Sequence, residues 1–170
     1  MNSAFFLTAV IDIALAIAGF AGIVAAVRQR RIAQWPKEQL ILLQILFTAS
    51  AAAIVLSLMP PFLSEAGASA PNVWKISSSA LAIWIAGALY FRLRESKAMG
   101  IPMQIPVHVR ALGIPSVFLQ IYNILILGQS WPFLFGLMAI LMNGFSVFLI
   151  LVLKPVEEDE IRGEHRESDG

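Results

Sequence analysis

The sequence contains no cysteine, which excludes disulfides, thiolate metal sites and cysteine nucleophiles. Charge is scarce as well. Only 14% of the 170 residues are Asp, Glu, Lys or Arg, against about a quarter in a soluble domain. The two histidines, His108 and His165, lie outside the long apolar runs. Intramembrane haem held by a histidine pair is therefore excluded, and no metal or other cofactor is expected. No lysine stands deep in an apolar run, which removes a retinal Schiff base. A Gly-rich phosphate loop, HExxH and GxSxG are all absent. So are an intramembrane Ser–His pair, an aspartate dyad, a potassium-filter sequence and an arginine ladder. An enzyme is the least supported class, and the chain is expected not to be one. A net charge of +1 gives no reason to expect a nucleic acid partner.

What the sequence does have is apolar length. Hydrophobic residues make up 58% of it, and its mean hydropathy is +0.77. Apolar runs cover residues 4–27, 39–59, 73–91, 111–127 and 131–153. Each approaches the roughly 20 residues that a helix needs to cross a bilayer. The pattern predicts an all-α, polytopic membrane helix bundle of five transmembrane helices over residues 1–156. An acidic, disordered cytoplasmic tail is expected over 157–170. The first run lacks a basic n-region, is long for a signal peptide and is followed by Arg28, Arg30 and Arg31, so it reads as a span.

Prolines and glycines punctuate the pattern. Pro60-Pro61 predicts the end of the second span. Pro102, Pro106 and Pro115 predict an irregular segment from Met99 to Pro115. Gly128-Gln129-Ser130-Trp131-Pro132 predicts a tight turn between the fourth and fifth spans. The fourth run is short, and a re-entrant or interfacial segment is its alternative.

Basic residues give the topology. Eleven of the twelve Lys and Arg residues fall after the first, third or fifth run. Only Lys75 falls on the other side. The positive-inside rule then places the N-terminus outside and the C-terminus in the cytoplasm. A bacterial-type inner membrane is expected from the compact length. Trp35, Trp74, Trp131 and Tyr90 fall where headgroup anchors are expected, and Trp84 falls mid-span as a packing residue.

Three groups of residues are candidates for function. Asp12 is a carboxylate inside a span, and such residues usually face a bundle interior or a pathway. Lys75 is its obvious partner. Ala14, Ala18, Gly22 and Ala26 form a small-residue stripe spaced by four, which predicts close helix packing. Gln44, Thr48, Gln120, Asn123 and Asn143 are polar at membrane depth and are candidates to line a polar cavity; Ser77, Ser78 and Ser79 lie at that depth too. Gln120 and Asn123 share a helix face, and with Tyr122 and Asn143 they are expected to line a polar cavity or to bond between helices. The expected partners are the lipid bilayer and either a second copy or another membrane protein. The leading expectation is a protein that acts by association, as a homo-oligomer or accessory subunit. The alternative is a small oligomeric ion or proton channel with Asp12 on or near the path.

Overall fold

The apolar runs form helices that extend beyond the runs themselves. The structure, a computed structural model, describes residues 3–27, 37–99 and 107–153. The acidic tail and Trp35 lie outside the described residues. The helices are α1 (Ser3–Val27), α2 (Lys37–Glu65), α3 (Ala70–Met99), α4 (Val107–Tyr122) and α5 (Ser130–Leu153). A π-helical turn over Asn123–Leu127 continues α4. The described residues contain no strand. Four helical segments are long and apolar enough to cross a membrane: Ser3–Ile23, Leu40–Glu65, Ala70–Phe91 and Ser130–Val152. The fifth apolar segment, Leu112–Leu127, is shorter. The helix that carries it starts earlier, at Val107, and reaches roughly 30 Å in all.

Three boundaries correct the proline reading. α2 runs through Pro60 and Pro61 to Glu65. The two rings remove the N–H groups that would reach the carbonyls of Leu56 and Ser57, four residues back. Such gaps are tolerated in apolar surroundings when neighbouring groups cover them. The Ser64 hydroxyl donates to the Pro60 carbonyl at 2.9 Å and holds the following turn. The helix ends instead at Gly67, whose φ of +84° is left-handed. Gly67 N–H reaches Ser64 O, and Ala68 N–H reaches Leu63 O, the paired bonds of a Schellman cap. α4 likewise absorbs Pro115 in its interior, so the expected irregular segment is helical from Val107 onward. Pro71 and Pro132 sit in the first turns of α3 and α5, where a missing N–H breaks no intrahelical bond.

α5 is the centre of the bundle and packs on α1, α2, α3 and α4, while α1 packs on α2 and α5. The buried residues recur at alternating spacings of three and four. On α1 they are Leu7, Val10, Ala14, Ile17 and Ala21; on α2, Leu46, Ala49, Ala53 and Leu56; on α5, Phe133, Leu137, Ile140, Gly144, Val147 and Leu151. This is the seam of left-handed, coiled-coil-like packing. Gly144 on α5 lies against α2: a Cβ there would sit in ordinary contact, 3.8 Å from the Ala49 Cβ. Lipid and protein core are equally apolar, so such contacts rest on packing and not on the hydrophobic effect. The outside of the bundle is an apolar belt: Ile83 is 73% exposed, Leu125 70% and Phe118 68%. A soluble monomer does not leave so broad an apolar surface in water; a lipid-facing one does.

Candidate functional site: an outward carboxylate and a polar half-interior

The seam of α1 decides where Asp12 points. Each residue advances about 100° around a helix. Relative to Leu7, Val10, Ala14, Ile17 and Ala21, Asp12 lies on the opposite side of the helix and is exposed. The expected interior position is therefore corrected: Asp12 faces away from α2 and α5, at the middle of the apolar segment Ser3–Ile23. No ion pair or hydrogen bond reaches its side chain from the described residues. The nearest hydroxyl on the same face, that of Thr8 one turn earlier, donates instead to the Ala4 carbonyl at 3.1 Å. Asp12 is thereby off any route through the interior of a single copy.

Lys75 is not its partner within the chain. α1 packs on α2 and α5, whereas α3 packs on α2, α4, α5 and the π-helical turn. Lys75 is half-buried near the start of α3. Its Cε lies 3.2 Å from where a Cβ on Gly128 would sit. That turn is the carboxyl end of the α4 helix, where unpaired carbonyls favour a cation. Gly128 has a φ of +60° and is also crowded by Pro71. A side chain there would be strained in backbone and in space.

The small-residue stripe is divided by helix geometry. A spacing of four advances about 400°, so the stripe drifts about 40° per step. Ala14 is buried in the seam, Ala18 and Gly22 are half-buried at its edge, and Ala26 is exposed. Ile17 and Ala21 take the places that Ala18 and Gly22 were expected to hold.

The polar residues separate in the same way. Gln44 and Thr48 are exposed, which corrects their assignment to a polar interior. Thr48 satisfies its hydroxyl on its own helix, at 2.7 Å from Gln44 O and 3.0 Å from Ile45 O. Tyr122 is exposed too, and Asn143 is half-buried two turns along α5 from Gly136, the glycine that faces Gln120. Neither joins Gln120 and Asn123. Ser79 is half-buried and donates to the Lys75 carbonyl.

Gln120 and Asn123 belong to a polar seam. On α4 and its π-helical turn, Ser116, Gln120 and Asn123 are all fully buried, while Ile114, Phe118, Ile121 and Leu125 point outward. α3 adds buried Ser77 and Ser78. The interior is thus mainly apolar among α1, α2 and α5, apart from buried Ser50 and Ser57 on α2, and polar where α4 meets α3 and the start of α5. Gln120 donates its amide to the Pro132 carbonyl at 2.6 Å. Asn123 donates to the Ser78 hydroxyl at 2.8 Å and to Gln129 O at 2.9 Å. Its Oδ1 accepts from Gln129 N at 2.8 Å, and its backbone carbonyl accepts from Gly128 N at 2.9 Å. One asparagine therefore closes the α4–α5 turn and ties it to α3. The hydroxyls of Ser57, Ser77 and Ser116 and Oε1 of Gln120 are buried without a partner among the described residues.

Gly136, Ser116 and Ser57 escaped the sequence reading, which took Gln129 only as part of a turn. A Cβ on Gly136 would meet Leu81 Cδ2 at 2.5 Å, Gln120 Nε2 at 2.7 Å and Ser116 Oγ at 3.1 Å. The spacing of Ser116, Gln120 and Asn123, four and then three, is the signal that could have found this seam. The aromatic readings divide as well. Trp131 and Tyr90 are exposed near the ends of apolar segments, but Trp74 packs into the core with its ring 6.0 Å from that of Phe133. Trp84 also packs against the core.

No protein-family model matches the chain, and neither a curated protein nor a solved structure matches it.

Proposed function

We propose that this chain is an integral membrane protein that works by association, with the outward face of α1 as its contact surface. The observation behind this reading is Asp12, exposed at mid-span and opposite the packing seam. A carboxylate at the centre of a bilayer costs at least ~2.5 kcal/mol when nothing pairs with it. Nothing in the rest of α1 requires that cost, because the seam is complete without it. A partner on that face would remove the carboxylate from lipid. The role is that of a homo-oligomer or an accessory subunit of a membrane complex, with no catalytic step. The basic residues that follow α1, α3 and α5 support a cytoplasmic C-terminus and an external N-terminus in a bacterial-type inner membrane.

The test is the native mass of complexes extracted gently from membranes, wild type against Asp12→Leu. The wild type is expected in a particle larger than one 18.6 kDa chain with its detergent, and the variant as the single chain. Identical single-chain masses for both would remove the association reading. Reporter fusions at the two termini test the orientation, and an external C-terminus would overturn it.

A further inference from the structure

Resting on the reading of α1 as an association surface, we infer that the occupant of this surface is a transmembrane helix of a different membrane protein that carries a lysine or arginine at mid-membrane depth. Three observations converge. First, the face is shaped for a helix. Thr8, Asp12, Ala16 and Gly19 are exposed on one side of α1, between the larger exposed Phe5 and Ile23 toward its ends, and the small side chains next to the carboxylate let a second backbone come close. A Cβ on Gly19 would meet nothing within 4 Å. Second, the carboxylate has no partner among the described residues. The Thr8 hydroxyl, one turn earlier on the same face, donates to the Ala4 carbonyl. Charged groups inside a membrane pair with opposite charges or with polar donors.

Third, a second copy of this chain offers no suitable cation. Lys75 is the only Lys or Arg within the five apolar segments. It stands near the start of α3, with its chain against the Gly128 turn. Every other basic residue follows the first, third or fifth apolar run. Two copies meeting through this face would bring Asp12 to Asp12, adding like charge to the cost of burial. The complementary group must therefore come from another protein, as an ammonium or guanidinium held in the span by its own apolar helix.

The experiment uses the full chain in liposomes, labelled with a donor fluorophore. The probe is an acceptor-labelled polyleucine transmembrane helix with a central lysine, compared with the same helix carrying a central leucine. The lysine helix is expected to associate with the wild type, and the leucine helix to stay dispersed. Asp12→Leu should weaken capture of the lysine helix about tenfold, the scale of a polar contact between helices in a bilayer. Asp12→Asn should fall between the two. Thermal melts of each variant check that the bundle stays folded, and Asp12 touches none of its seam. Equal capture of both helices, or equal capture by wild type and Asp12→Leu, overturns the inference. Self-association of the labelled chain that disappears in Asp12→Leu, with no capture of the lysine helix, would make the occupant a second copy. That outcome would overturn the inference and leave the association reading standing. Absence of both contacts would overturn both.

Discussion

Asn123, at the start of the π-helical turn, donates its side-chain amide to the hydroxyl of Ser78 on α3, 45 residues earlier, at 2.8 Å. The same side chain holds both the N–H and the carbonyl of Gln129. In water such a group competes with solvent; inside a bilayer it has only the protein. Asn123→Ala is therefore expected to destabilise the bundle by about 2 kcal/mol, since it removes three hydrogen bonds and strands their partners. Ser78→Ala, which removes one, should cost less than half as much. Denaturant or thermal unfolding in detergent measures both. Equal losses would mean that the bonds to Gln129 carry no weight.

The unpartnered hydroxyls predict the opposite sign. Ser57 and Ser77 are fully buried, and their Oγ atoms have no partner among the described residues. Replacing such a hydroxyl by a methyl hydrogen removes a desolvation cost of about 1 kcal/mol or more. Ser57→Ala and Ser77→Ala should leave the melting temperature unchanged or raise it. A clear drop in either would reveal a bound water or other group on that hydroxyl.

Gly136 tests how closely α5 meets α3 and α4. A methyl group there would overlap Leu81 Cδ2 and Gln120 Nε2, and the Gln120 amide is held by the Pro132 carbonyl. Gly136→Ala should cost roughly 1–3 kcal/mol, the range for overpacking. In a Leu81→Ala background the same change should cost markedly less, because the atom it strikes is gone. Strict additivity of the two substitutions would show that this space is not closed.

The division of the α1 stripe gives a further comparison. Ala14 is fully buried in the seam, whereas a Cβ on Gly22 meets nothing within 4 Å. Ala14→Leu should destabilise the bundle by roughly 1–3 kcal/mol through overpacking. Gly22→Ala should be neutral or slightly stabilising, since it fills open space and favours the helix. If Gly22→Ala proves the more damaging of the two, the spacing of four marks the true contact face.

The architecture was written in the apolar runs. Each became a helix, and the turn at Gly128 fell where the sequence put it. Their ends were less legible. Pro60, Pro61 and Pro115 predicted breaks that the helices passed through, because a proline costs only a local donor and neighbouring groups can take its place in apolar surroundings. Gly67 set the end of α2 instead, by accepting a left-handed backbone that allows the capping bonds.

What the sequence by itself determined is the inventory: apolar helices of membrane length, one mid-span carboxylate, and amides in the fourth helix that had to find partners. Only the tertiary structure decided which way each helix turns. Hydropathy cannot decide this, because lipid and the interior of a bundle reward apolar side chains equally. Alternating spacings of three and four, set by helices wrapping around each other, chose Ala14, Ile17 and Ala21 over Ala18 and Gly22 for the seam. The same rotation turned Ser116, Gln120 and Asn123 inward and Asp12 outward. A carboxylate expected inside the bundle thus stands on its outer surface, facing whatever the membrane brings to it.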